Sequence, residues 1–500
     1  MRDAPSAQST AFAGVQRIAA VAVLMMLVAI RTIGLGADPP SWLSWSAGLY
    51  TDEGMYAGDA RSMALFGHWM RGDFHGAIVT PVLYILQLGV FRMCGAGLVQ
   101  ARAISVVAGL ATVALLWLGM RRAYGERAAW IGALLLGIAT PFVLYNRLAL
   151  METPVVCCLA AAFACLAIRG AGGRLVWVFA AGLLLALAVA IKPLALLILP
   201  AFAVYAGAGR TKDLGVLAGG LAVFGGAYWI VAVAPHVAAL VRMNGYYAHH
   251  QYLPHSAAGV ARNIKRALWT GRQDGLLRTM LSLWPMGTAL GGLGIVSACK
   301  RRQPADLLLL CWLLVPAGFW VVTSYTPSRY YVLIMPALAG LAGVRLARAS
   351  RLQMAILLTV AVLIDGVTLG TNLARPIYGE RTAARALSGV VEPGSVIAGQ
   401  FAPQLAWGTT LEAVYVQPGL ANDDRPVERS RASYVLVTDS AYWNRYWDHA
   451  YPGLRDPVNR IGHVLIAGKY DEVLYTASPP AKWLARNAFS RAGLAKRRGV

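Results

Sequence analysis

Eleven apolar runs limit what this 500-residue chain can fold into. They cover residues 16–35, 103–120, 128–144, 153–168, 175–191, 193–208, 214–233, 280–298, 307–322, 331–346 and 352–369. Most approach the roughly 20 residues a helix needs to cross a bilayer, and the shortest need flanking residues to complete a crossing. Hydrophobic residues make up 58% of the chain and charged residues 14%. A soluble domain carries roughly 25% charge and could not keep this much apolar surface from water. Mean hydropathy is +0.55. The composition predicts an α-helical polytopic membrane protein. No internal repeat is visible, tandem or inverted.

Loop charge sets the orientation. One further apolar stretch, Pro81–Cys94, has 14 residues, the length of an interfacial or re-entrant segment. If it does not cross and the N-terminus is cytoplasmic, five consecutive basic loops fall inside. They carry Arg121, Arg122 and Arg127; Arg169 and Arg174; Arg210 and Lys212; Lys300, Arg301 and Arg302; and Arg345, Arg348 and Arg351. That is the positive-inside pattern, and it reverses if the stretch crosses. The expectation is therefore about 11 transmembrane helices with the C-terminus outside. The net charge of +22 belongs mostly to such loops, and without a basic stripe among exposed aromatics it excludes nucleic acid as a partner. An outer stretch, 235–278, is also basic through Arg242, Arg262, Lys265, Arg266 and Arg272, which suits anionic membrane lipids. The first run has no small-residue cleavage site and reads as an uncleaved anchor. The six cysteines lie in or beside apolar runs without metal-ligand spacing, as small buried hydrophobes do.

The first outer loop, from residue 36 to about residue 100, is expected to carry two interfacial helices. In the first, Tyr56, Ala60, Met63 and Ala64 share a face while Asp59 and Arg61 lie elsewhere; the second is Pro81–Cys94. After residue 373 charges rise. Strand-like runs at 395–398, 413–417, Tyr434–Thr438, 463–467 and 472–476 alternate with helical or turn-rich segments. The expected division is a transmembrane domain, 1–373, and a small extracytoplasmic α/β domain, 374–500, ending in a solvated basic tail at Lys496, Arg497 and Arg498.

Under this topology, unusual polar residues gather on one side. Asp52 and Glu53 follow the first run, Arg147 and Glu152 form the second outer turn, and Lys192 is a bare lysine between two runs. Arg329 and Tyr330 form a later turn. Singly, these could be snorkelling cations or a capping ion pair. Together they put carboxylates and cations at one bilayer face, mostly on short turns that pin side chains at the bundle rim. That arrangement suits transfer from a lipid phosphate: cations hold the phosphate as a leaving group, and a carboxylate takes a proton from an incoming hydroxyl. Paired carboxylates such as Asp52 and Glu152 could alternatively hold a divalent cation (Mg, Mn or Zn) through oxygen ligands.

At these residues the chain resembles the GT-C glycosyltransferases of the family that holds the protein O-mannosyltransferases and the lipid A aminoarabinose transferases (glycosyltransferase family 39-like). The resemblance lies in TDEGMYAGDAR (51–61) followed by FGHW (66–69), in NRLALMETP (146–154), in IKP (191–193) and in SRYYVLIMP (328–336). It implies an enzyme moving a hexosyl or pentosyl group from a polyprenyl-phosphate-linked donor to a lipid, protein or glycan acceptor. The reaction is implied to run with inversion at the periplasmic face of a bacterial inner membrane. On that reading Asp52 is the base, Glu53 and Glu152 orient the site or a cation, and Lys192, Arg329 and Tyr330 bind the donor phosphate. Arg147 joins the phosphate site and positions Glu152. The chain departs from its relatives before the second surface helix, where it has Val79-Thr80-Pro81; His75 stands near enough to substitute. The alternative reading is a transporter or flippase of polyprenyl-linked lipids, and a further one is a receptor with an outer sensing domain. The absent repeat and one-sided ionisable residues, apart from Asp365 in the last run, argue against transport.

Overall fold

The computed structural model describes residues 7–477 apart from 45, 170–172, 209–210, 248–253, 255, 269–274, 324 and 467–469; the basic tail lies outside them. Among the described residues, five helical segments are long and apolar enough to cross a membrane: Leu98–Tyr124, Glu152–Arg169, Thr211–Tyr246, Pro304–Val322 and Arg351–Val390. A sixth forms if Glu126–Ile138 and Thr140–Asn146, bent by 62°, count as one span. The first expected run lies in a 26-residue helix, Ala7–Thr32, and two others are shorter apolar helices, Val176–Ile191 and Pro193–Gly207.

Proline explains the shortening. It fixes φ, lacks an N–H and pushes the preceding residue towards extended geometry. Lys192 accordingly sits at φ −151 and ψ 116, between the Val176–Ile191 helix and a 3-10 turn, Pro193–Ile198. A second 3-10 turn, Ser328–Ile334, follows Pro327. Such breaks leave polar side chains at helix ends. The bend before Pro141 is finished by two ionisable residues. Asp365 accepts from the Thr140 N–H (3.0 Å) and hydroxyl (2.7 Å), while Arg31 donates to the Gly137 carbonyl at 2.9 Å. The charge inside the last run therefore completes a broken helix.

The C-terminal segment forms one five-stranded sheet from β1 (Val396–Gly399), β2 (Glu412–Tyr415), β3 (Tyr434–Thr438), β4 (Arg460–Ile466) and β5 (Tyr470–Thr476), in the order β2-β1-β3-β5-β4. β1 runs parallel to β2 and β3, and β5 runs antiparallel to β3 and β4.

This sheet unit packs on the helix that carries Asp52, Gly48–Phe66. The Gly54 N–H donates to Gln404 Oε1 at 2.8 Å, and a Cβ on Gly54 would meet the Gln404 nitrogen at 2.4 Å. Arg61 donates to the carbonyls of Ala406, Thr409 and Leu411, and Asp73 and Asn422 exchange two 2.7 Å hydrogen bonds. The expectation of a half-solvated interfacial helix is thus corrected. Asp59 and Arg61 are both buried: the C-terminal unit covers Arg61 and the chain at 70–77 wraps Asp59. Asp59 accepts from the Met70 and Ala77 N–H groups and contacts His75 Nδ1 at 3.3 Å. His75 therefore braces the loop and does not line the cavity described next.

Candidate active site

A cavity of about 700 Å³ opens where the Asp52 helix, the two proline-interrupted turns and the C-terminal sheet meet. Asp52, Lys192, Arg329 and Tyr330 line it. Arg329 Nη2 lies 2.9 Å from Asp52 Oδ2, and its Nε lies 3.5 Å from Glu152 Oε1. Lys192 Nζ donates to the same Glu152 oxygen at 2.5 Å and sits 4.4 Å from the Tyr330 ring centroid. Glu152 thus stands behind both cations and aims them at the cavity. Of the sequence-predicted residues, these five come together.

Three local features hold this arrangement. Ser328 Oγ donates to the Leu43 carbonyl at 2.7 Å and Tyr145 Oη lies 2.8 Å from Ser328 Oγ, which fixes the turn carrying Arg329. Gly48 leaves room: a Cβ there would meet Arg329 Nη1 at 2.8 Å and Asp52 Oδ1 at 3.0 Å. Arg329 Nη1 is also buried with no hydrogen-bond partner among the described residues. An orphaned guanidinium donor beside a cavity is costly unless something binds it. Burial pushes the Asp52 carboxyl above its usual range, against the pull of Arg329, so its ionised form is a stronger base than a solvated aspartate.

Two expected residues lie elsewhere. Glu53 does not line the cavity: it receives bonds from Arg102 Nε (2.8 Å) and Nη2 (2.6 Å) and from the Ala149 N–H (2.6 Å). Successive helix residues point about 100° apart, so Asp52 and its neighbour cannot share one target. Glu53 is a buried brace between the Asp52 helix, Arg102 and the turn at Ala149. Arg147 donates to the carbonyls of Ile30 (3.1 Å) and Gly34 (2.9 Å), closing the end of the first helix, and touches neither Glu152 nor the cavity.

The donor set does not fit a metal ion. Among the described residues no group of three or more His, Cys, Asp and Glu side chains is placed to hold one. Asp52 and Glu152 already face two cations, which would compete with a divalent ion for the same oxygens.

Sequence reasoning did not single out the rest of the cavity wall. Leu194, Leu196, Leu197 and Phe319 form an apolar side, and Asn244, Gln400 and Gln417 bring neutral amides. These residues are scattered along the chain and unremarkable in isolation; no local signal marks them.

The helical bundle, the acidic first-loop helix and the C-terminal unit packed on it give the chain the fold of two solved membrane proteins, ArnT and AglB. A family model described as dolichyl-phosphate-mannose-protein mannosyltransferase matches residues 79–239. ArnT from Cupriavidus metallidurans bound to undecaprenyl phosphate aligns with a TM-score of 0.65 at 14% identity, covering 94% of this chain and 98% of that one. Its apo state aligns at 0.62 with the same identity and coverage. The oligosaccharyltransferase AglB from Archaeoglobus fulgidus, in complex with an inhibitory peptide and a dolichol-phosphate, aligns at 0.52 and 13% identity over 90% of this chain and 74% of that one. No curated protein matches at the level of sequence.

Proposed function

We propose that this protein is an integral-membrane glycosyltransferase that takes a sugar from a polyprenyl-phosphate-linked donor. The observation that carries the reading is the buried Nη1 of Arg329, without a hydrogen-bond partner among the described residues, beside Lys192 and Asp52 in a cavity with an apolar side wall. The family match and the lipid phosphates bound by the similar structures support it.

The chemistry is a direct displacement. The donor phosphate binds Arg329 and Lys192, and its prenyl chain leaves along Leu194, Leu196, Leu197 and Phe319. Phosphate competes with Asp52 for Arg329 and so frees the carboxylate to face the acceptor. The acceptor oxygen forms a bond to the anomeric carbon as the carbon–phosphate-oxygen bond breaks. The electron pair leaves with the phosphate, whose charge Arg329 and Lys192 stabilise. The hydroxyl proton goes to Asp52, a role worth roughly 10²–10⁴ in rate. Attack opposite the leaving group inverts the sugar. Glu152 is a positioning residue for both cations. The wider setting is eleven spans, a cytoplasmic N-terminus and an extracytoplasmic unit from residue 374 in a bacterial inner membrane, with the site at the outer face.

The test is product formation. Purified protein in lipid vesicles is given radiolabelled polyprenyl-phosphate sugars and a membrane extract supplying acceptors. Transfer of label to a non-prenyl acceptor is expected. Movement of intact donor across the vesicle without transfer would instead establish the flippase.

A further inference from the structure

The cavity's roof has a chemistry of its own. Gln400 directly follows β1, Gln417 lies two residues beyond β2, and Thr438 ends β3, so the three stand at the carboxyl ends of three parallel strands. They form a row: Gln400 Nε2 donates to Gln417 Oε1 at 3.3 Å and the Thr438 hydroxyl to Gln400 Oε1 at 3.5 Å. Gln400 and Gln417 are half-buried and line the cavity. The strand order β2-β1-β3 reverses direction at β1. In open sheets with parallel strands, ligands bind outside the carboxyl ends at such a reversal. Here that crevice opens into the cavity that holds Asp52 and Arg329.

Primary amides donate and accept at once, which matches vicinal hydroxyl groups. Gln417 Nε2 bonds to nothing among the described residues, and Asn244 brings a further amide to the same cavity. The charged groups lining the cavity, among the described residues, are Asp52, Lys192 and Arg329, which the phosphate and the proton transfer already engage. A cationic amino sugar would call for a further carboxylate, and an acidic sugar for a further cation.

We propose that Gln400 and Gln417 form the subsite that reads the hydroxyls of the donor's sugar, and that this sugar is neutral. The proposal rests on the reading of the protein as a glycosyltransferase with a lipid-phosphate donor, and names its substrate class.

The experiment compares full-length protein and variants for affinity towards bare polyprenyl phosphate, polyprenyl-phosphate mannose and glucose, and a polyprenyl-phosphate amino-pentose. Wild type should bind a neutral-sugar ester more tightly than bare lipid phosphate, and the amino-pentose ester no more tightly than bare. The double variant Gln400→Leu, Gln417→Leu should lose roughly tenfold or more for the neutral ester and nothing for bare lipid phosphate. Gln417→Glu should turn the preference towards the amino-pentose, a gain that damage to the fold would not give. Wild-type preference for the amino-pentose, or unchanged neutral-ester binding in the double variant, overturns the proposal. So does a rise in acceptor KM with donor affinity intact, which would give the pair to the acceptor. If wild type binds bare lipid phosphate and the sugar adds nothing, the subsite fails while the donor reading stands. If wild type binds no lipid phosphate, both fail.

Discussion

Gly48 decides how closely Asp52 and Arg329 can meet. Any side chain there presses on Arg329 Nη1, the donor proposed to bind phosphate. Gly48→Ala should therefore lower donor affinity by roughly tenfold, through one weakened charged hydrogen bond. Thermal stability should change little, and affinity and melting measured on one preparation check the split. The residues legible in sequence were those whose charge is expensive near lipid: Asp52, Glu152, Lys192 and Arg329. Glu53 and Arg147 were misassigned because adjacency in sequence says nothing about helix face, and both are spent on bracing. Gln400 and Gln417 were invisible because a neutral amide in a loop costs nothing that a sequence pattern would register.

At the scale of elements, prolines did most of the placing. Each break turns an apolar run into a helix, an extended or 3-10 turn and a shorter helix, with Lys192 or Arg329 at the joint. The five strands are legible from their apolar patterning: Tyr434–Thr438 matches at both ends, and the other boundaries differ by at most three residues. Their order is not, since pairing partners are set by tertiary packing. One strand carries a testable anomaly. Glu472 on β5 is buried, and burial pushes its carboxyl up to about 8 despite Thr438 beside it. A raised carboxyl favours the fold most below the ordinary glutamate value of about 4.3, and that contribution is lost as pH rises through about 8. Glu472→Gln is neutral throughout. Wild type should lose melting temperature between about pH 5 and about pH 9, and the variant should lose much less. Fluorescence of Trp443 and Trp447, which pack on this sheet, reports the transition in full-length protein.

For the whole molecule, length and composition mark five spans, or six with the bent pair, where loop charge argues for eleven. The reading of eleven rests on shorter apolar helices such as Val176–Ile191 and Pro193–Gly207, which meet at Lys192 and Pro193. The orientation proposed from the basic loops is open to a direct test. In a cysteine-free background, Arg122→Cys should be shielded from an impermeant thiol reagent in intact spheroplasts, while Tyr442→Cys should label. Both positions are exposed, so the reverse pattern would move the site to the cytoplasmic face. The central claim is that Asp52 takes the acceptor's proton while Arg329 and Lys192 hold the donor phosphate. It is tested most directly by measuring turnover and donor affinity together in Asp52→Asn, Lys192→Ala and Arg329→Ala. Asp52→Asn should lose roughly 10²–10⁴ in turnover with donor affinity intact, whereas the two cation variants should lose both. Near-wild-type turnover in Asp52→Asn would contradict the account.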